Sequence, residues 1–473
     1  MQKELDLTSF STHYRPRPHV NAFVRPHHIF TDEKRFEMAK KVGWNVFQFP
    51  SEMLMGGDLL SDSGTTALTL EQLSSLILGD EAYGSNWGYF QLIEVMEEVF
   101  GMDANEWEIY PFHQCRAAEH ALFSHIKGEN LIIPSNSFFD TTRANAEANG
   151  IQAIDLPASE SGNMDIEALE KLMSLKVNRI PLIYMTITNN ANGGQPVSME
   201  NLKATKKMCD YFEIPFFLDA CRFAENAFFI KERETEYQKK SIPDIIREEF
   251  SLCDGFTISF KKDGLANMGG ALAIKKDSLF AKYYPNIIDE IRDHQILVEG
   301  HTTQGGLSGR EIMTIVSGLK IVTSEDYLHG RISLVRSFGS YLSSLGVPIV
   351  EPVGGHAVYI DINKFFSDTK MATKDFGGIS LTGLLLIKGV RLCELGAFAF
   401  GKYNPETEEE IFPDHNYVRA AVPRNKYEKD DLFYVADCIK ALHNRGDEIP
   451  KAVAVYGKEK TLRHFKARFE LVF

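Results

Sequence analysis

Lys262 stands two residues past an apolar run, FTISF (256–260), within the segment FTISFKKDGLANMGG. An amine at the end of a buried strand is a group that can form a Schiff base with a carbonyl or act as a base. Asp219 closes a second apolar run, IPFFLDA (214–220), and Arg222 follows it. A carboxylate at the carboxyl end of a strand, with a guanidinium close behind, suits a ligand that holds both a protonated ring nitrogen and an anion. Groups that favour an anion recur elsewhere. Gln114 and Arg116 begin a helix in HQCRAAEHAL (113–122), and GGQPVS (193–198) offers glycines and a helix start just after the amide of Asn190. With Ser259 and Lys261 beside Lys262, these pieces make a Schiff-base lysine, a carboxylate for a pyridinium nitrogen and donors for a phosphate. Pyridoxal 5'-phosphate (PLP) requires that set, because it works as an electron sink only while its ring nitrogen stays protonated and its phosphate is anchored. Each piece also has a plain structural reading: a solvated lysine pair, a helix-capping aspartate in an ion pair, helix starts facing water. The combination is more specific than any one part.

The elements that must position these residues follow from periodicity. Short apolar runs at 130–135, 180–187, 214–220, 255–260 and 269–274 alternate with amphipathic stretches. Among the latter, SMENLKATKKMCDYF begins with Ser198 as N-cap and TTRANAEANG stops at Gly150. Such alternation predicts an α/β fold with a mainly parallel sheet covered on both faces. A long helical region is expected around 309–345, then strands in HAVYIDI (356–362), GVRLCEL (389–395) and VRAAVP (418–423), with a helix near 429–445, forming a smaller α+β domain. The expected division is 1–58 as an N-terminal arm and small-domain segment, 59–320 as the large PLP-binding domain and 321–473 as the small C-terminal domain. Pro16, Pro18 and Pro26 make residues 9–30 an extended arm, and Thr31 or Asp32 caps the next helix. LLSDSGTTAL (59–68) reads as a short strand and a polar turn. GDEAYGSNWGY (79–89) is a glycine-rich loop carrying Glu81 and Tyr83, of the kind that lines sites; a packed tyrosine is the plainer reading of Tyr83.

The 473 residues, 44% hydrophobic and 25% charged, can bury a large core. The net charge of −14, with no long basic block, argues against nucleic acid or an anionic membrane as partner. The six cysteines are scattered without a CxxC pair, so reduced thiols and no structural zinc are expected, in a cytoplasmic setting. No stretch is long and apolar enough to span a bilayer.

LLSDSGT, GDEAY, HQCRAAE, FFDTTR, GGQPVS, LDACRFAENAFFIK, SFKKDGLANMGG, EPVGGHAV, VRAAVPR and LRHFKARF occur in this order over nearly the whole chain. Through them the sequence resembles the β-eliminating lyases, the family of tryptophan indole-lyase (tryptophanase) and tyrosine phenol-lyase. The resemblance implies the aspartate-aminotransferase-like PLP fold type I, a homotetramer built from dimers, and a bound potassium ion. It makes Lys262 the Schiff-base lysine and Asp219 the partner of the pyridine nitrogen. It puts Gln114, Cys115, Arg116 and Ser259 at phosphate-binding positions and Phe139 over the ring. Ser61, Asn190 and Arg419 correspond to the group that holds the substrate carboxylate, while Gly64, Glu81 and Asn267 fall at the potassium positions. Tyr83 matches a catalytic tyrosine contributed by a neighbouring subunit.

Leu395 stands where the phenol-lyase has an arginine, and His464 where tryptophanase has a histidine and the phenol-lyase a phenylalanine; Asp140 also follows tryptophanase. An indole N–H needs an acceptor, which His464 or Asp140 can supply. The activity implied is conversion of L-tryptophan, or a similar aromatic amino acid, to the arene, pyruvate and ammonia. The chain departs from the family in Cys115 for a glycine, in GSN after Tyr83, and in Gln304 for a tyrosine. Other leaving groups, an aminotransferase on the same fold, and a non-catalytic PLP-binding protein are the alternatives.

Overall fold

Residues 26–158 and 161–472 are described by a computed structural model. Most of the expected N-terminal arm, 9–25, lies outside the described residues; 26–30 carry no regular structure, and Thr31 caps the helix Asp32–Lys41 through its side-chain oxygen.

Five strands make the central sheet, in the order Trp107–Phe112, Gly270–Lys275, Gly255–Ser259, Phe216–Asp219, Ile183–Thr186. The last three are mutually parallel, and Gly270–Lys275 runs antiparallel to both its neighbours. Four of the five strands therefore share one direction, which brings the ends of Phe216–Asp219 and Gly255–Ser259 to the same edge. The sheet is buried on both faces, as its near-continuous apolar runs require. Phe216 and Phe217 point to opposite faces and each is fully buried, worth about 1.5–3 kcal/mol per side chain. The covering helices begin and stop where the caps predict. Ser198 accepts the Asn201 N–H at the start of Met199–Phe212, and Gly150 takes a left-handed φ of 76° just after Asp140–Ala148.

A second core surrounds a three-stranded antiparallel sheet of Cys393–Leu395, Tyr417–Ala421 and Ala357–Asp361, packed on the helices Glu325–Ser344 and Lys429–His443.

Four expectations need correction. The region 309–345 is two helices, Gly309–Val322 and Glu325–Ser344, because Ser324 turns extended and caps the second through its hydroxyl. GVRLCEL splits into Val390–Arg391 and Cys393–Leu395, on different sheets. The strand Ile132–Ser135 within NLIIPS is hydrogen-bonded only to Gln152–Asp155, in a two-stranded parallel ladder, among the described strands. LLSDSGTTAL holds no strand; the strand is Gly57–Asp58, paired with Val390–Arg391. Ser61 explains the irregular run: its hydroxyl accepts the Ser63 N–H and its carbonyl accepts the Thr65 hydroxyl, so local side-chain bonds replace a ladder.

Candidate active site

The strand Gly255–Ser259 delivers its chain into a tight turn from Phe260 to Leu265. Gly264 is required there, since a Cβ would lie 2.5 Å from the Phe260 Cα. The returning strand begins at Gly270, where a Cβ would lie 2.3 Å from the Cys115 nitrogen. That close approach seats the start of the helix Cys115–His125 against the Lys262 turn. Lys261, Lys262, Ser259, Gln114, Cys115 and Arg116 consequently line one cleft of about 240 Å³. Burial pushes the Lys261 amine down, and the charges of Lys262 and Arg116 push it further. Three cations crowded beside a helix N-terminus form a place for an anion. Burial also opposes the charge on Lys262, but Cys221 and the Asp219 carboxylate more than offset it, leaving its amine above the ordinary value.

Asp219 is buried at the end of its strand, its Oδ1 accepting the Cys221 N–H at 3.3 Å. Phe139 lines the cleft at the start of Asp140–Ala148. Arg222 lines the same cleft, and its Nε and Nη2 hold Asp62 at 3.0 and 2.8 Å in a buried bidentate pair. GGQPVS needs correction: Val197, Ser198 and Met199 already donate their N–H groups to Asn226, Asn163 and Glu234. Its helix start lies outside the lining of the cleft.

On the other wall, Ser61, Asn190 and Arg419 come together. The Arg419 Nη1 donates to Asn190 Oδ1 at 3.2 Å and Nη2 to the Leu60 carbonyl at 3.1 Å, while its buried Nε has no partner among the described residues. Asn190 Oδ1 is further held by the Tyr359 hydroxyl at 2.7 Å. His464 and Asp140 also meet, Nε2 to Oδ2 at 3.0 Å, with both side chains buried and both lining the cleft; Leu395 lines it as well.

Tyr83 lies elsewhere on the chain. It is 75% exposed, edge-on to His301, and the Ala82 carbonyl beside it accepts the Gln304 side-chain amide at 2.8 Å. Glu81 pairs with Arg310, whereas the Asn267 amide reaches the Gly64 carbonyl at 3.2 Å. One chain thus joins Gly64 to Asn267 and turns Glu81 and Tyr83 outward.

Sequence reasoning missed two things. Glu119, one turn after Cys115, lines the cleft and accepts the Thr142 hydroxyl at 2.8 Å; burial and the Asp219 charge push its carboxyl up to about 7. The spacing of four on an apolar helix face was the available signal. The second is a buried ion network. Arg424 binds Asp62, Glu225 and Asp263 at 3.0, 2.7 and 2.7 Å, and Arg331 joins Glu225 at 3.3 Å. Asp263 follows Lys262 directly, and burial and Glu225 push its carboxyl up to about 6 despite Arg424.

Comparison with known proteins places this geometry. A family model described as beta-eliminating lyase matches residues 58–438. The chain belongs to the beta-eliminating lyase family. It is 39% identical to the tryptophanase of Salinibacter ruber over 94% of this chain and 93% of that one. It is 37% identical to the tyrosine phenol-lyase of Symbiobacterium thermophilum, over 96% and 98% respectively. Among solved structures, a serine palmitoyltransferase variant from S. paucimobilis with a bound PLP–myriocin aldimine superimposes with a TM-score of 0.55 at 12% identity, covering 82% of this chain and 87% of that one. That likeness shows the fold, PLP fold type I.

The lyase is a PLP-dependent enzyme, and its cleft fits the cofactor on chemical grounds. A half-buried amine and a buried carboxylate stand apart from a separate cationic pocket at a helix start. Arg419, whose buried Nε has no partner among the described residues, places a guanidinium in the wall of the same cleft. No helix among the described residues is long and apolar enough to cross a membrane.

Proposed function

We propose that this lyase cleaves L-tryptophan, taking up water and releasing indole, pyruvate and ammonia. The observation that carries this reading is the buried His464–Asp140 pair in the wall of the cleft. An aromatic leaving group with an N–H needs an acceptor there, and a carboxylate oriented by an imidazole is one. Leu395 supports it, because a phenol would want a cation at that position.

PLP, when bound, supplies a tether for the substrate amine and a sink for the electrons freed at Cα. Lys262 would hold it, Asp219 would keep its ring nitrogen protonated, and Phe139 would pack on its face. Lys261, Arg116, Ser259 and the N–H groups at the start of Cys115–His125 would hold its phosphate. Arg419 would pair with the substrate carboxylate, and Ser61 and Asn190 would fix its plane. Lys262, once free, takes the α-proton as general base. Asp140 and His464 hold the indole N–H and orient the ring for protonation at the carbon that leaves.

Tyr83, exposed on its own chain, would reach the cleft of a neighbouring subunit as the proton donor. Glu81 of one chain would complete a potassium site with Gly64 and Asn267 of another, in a dimer that pairs again into a tetramer. A cytoplasmic enzyme of amino-acid catabolism is the corresponding setting.

A second reading keeps the site and changes the leaving group; Gln304 favours it, since this amide secures the loop of Tyr83 where the family has a tyrosine. Purified PLP-loaded protein in potassium buffer is expected to form indole and pyruvate in equal amounts from L-tryptophan. Pyruvate from tyrosine or another β-substituted amino acid, with none from tryptophan, overturns the first reading and establishes the second.

A further inference from the structure

Cys115 and Cys221 form a pair that the lyase chemistry above leaves unused. The Cys221 thiol donates to the Cys115 sulfur, Sγ to Sγ 3.9 Å, and an Asp219 oxygen lies with both sulfurs inside a common span of 4.8 Å. All three side chains are buried, and all three line the cleft. Scattered cysteines are ordinarily inert core thiols, as Cys209 and Cys253 are here. This pair differs because two elements distant in sequence converge on it: the start of Cys115–His125 and the end of the Phe216–Asp219 strand.

The spacing matches a tetrahedral metal. Two sulfurs each about 2.3 Å from a zinc ion are about 3.8 Å apart, so the observed separation needs no backbone movement. Thiolates select zinc or cadmium over magnesium and calcium, and a carboxylate oxygen is an ordinary third ligand. The cleft itself supplies the fourth position, open to water.

We propose that Cys115, Cys221 and Asp219 form a site for a thiophilic divalent cation, zinc or cadmium, in the cofactor-free protein, and that this cation and PLP exclude each other. On binding, two S–H bonds break, two metal–sulfur bonds form, and two protons pass to solvent; no redox change is involved. The ion with two thiolates and one carboxylate carries a net charge of −1, which the Lys262 ammonium offsets. Exclusion follows because Asp219 serves both ligands: an ion on its oxygen removes the partner of the ring nitrogen. The metal site stands on the side-chain geometry alone, whereas the exclusion rests on the cofactor reading under Proposed function.

The test uses the full chain freed of PLP and titrated with cadmium, whose thiolate bonds absorb in the ultraviolet. The band should saturate at one cadmium per chain and disappear in Cys115→Gly and in Cys221→Ala, each checked for an unchanged melting temperature. Should either variant fail to fold, alkylation mapping on the unmutated chain decides: cadmium should protect Cys115 and Cys221 together. Prior loading with PLP should weaken cadmium binding by at least about tenfold, and cadmium should weaken PLP uptake by the same factor, since such coupling is reciprocal. A band that persists in either variant, or protection that maps to Cys209, Cys253, Cys393 or Cys438, overturns the site. Independent binding of the two ligands overturns the exclusion. PLP uptake, followed by its visible absorbance without metal, is measured first. Its failure would count against the cofactor reading and leave the cadmium result to stand by itself.

Discussion

Replacing Arg419 by lysine keeps one positive charge at the same place and removes the planar fork. Arg419 donates to Asn190 at 3.2 Å and to the Leu60 carbonyl at 3.1 Å, and its buried Nε has no partner among the described residues. A lysine ammonium can satisfy one of these acceptors or a substrate carboxylate, but not a carboxylate bidentately while still bonded to Asn190. The loss is one charge-assisted hydrogen bond, about 1.5–3 kcal/mol. In kcat/KM that is a decrease of about 10- to 150-fold. The carboxylate is gripped equally before and during the reaction, so most of the loss should appear in KM. Steady-state pyruvate formation from L-tryptophan measures both constants, with cofactor absorbance and melting temperature recorded on the same sample. An Arg419→Lys enzyme with normal absorbance and kcat/KM within twofold of the parent would refute the assignment of Arg419 to the substrate.

Arg424→Met leaves Asp62, Glu225 and Asp263 facing only Arg222 and Arg331; removing one partner from a buried ion network costs about 3–5 kcal/mol. Denaturant unfolding should show it, and a loss below about 1 kcal/mol would contradict the network's role. Glu119→Gln tests a pH dependence in the cofactor-free protein. The folded carboxyl, at about 7 against an ordinary 4.5, keeps a proton that the unfolded chain releases, so its stability contribution is complete below pH 4.5 and lost as pH rises through about 7. The loss is at most about 3 kcal/mol, and the variant's melting temperature should gain on the parent's between pH 5 and 7.5; parallel curves would contradict it. Exchange of potassium for tetramethylammonium should lower kcat/KM, and Glu81→Ala should remove that dependence without moving the melting temperature; dependence retained in the variant would sink the Glu81 assignment.

Lys262 and Asp219 were legible because each ends an apolar run whose β-branched and aromatic residues allow only a buried strand. The same run fixed the parallel sheet, since fully buried strands lack the alternation of a half-exposed one. Arg331, Arg424 and Glu225 were illegible for the opposite reason. A charged residue in a sequence reads as solvated, and its burial depends on partners up to 362 positions away, as between Arg424 and Asp62. Glu119 was hidden the same way. Asp140 and His464 were named through the family resemblance, and no local pattern predicts that they touch. The strand expected within 59–68 failed because Ser61 and Thr65 satisfy the backbone locally, a competition that propensity does not weigh.

The linear order of the contacts has a consequence for how the enzyme comes into being. Asp263 waits for Arg424, 161 residues later, and the Leu60 carbonyl waits 359 residues for Arg419. A ribosome makes the central sheet and Lys262 before these two guanidinium groups. Until Arg419 and Arg424 emerge, Asp62, Glu225 and Asp263 lack the cation that joins them, and one wall of the cleft is unbuilt. A nascent chain therefore carries Lys262 well before it has a pocket, and the emergence of Arg419 and Arg424 sets the moment at which the cleft can close.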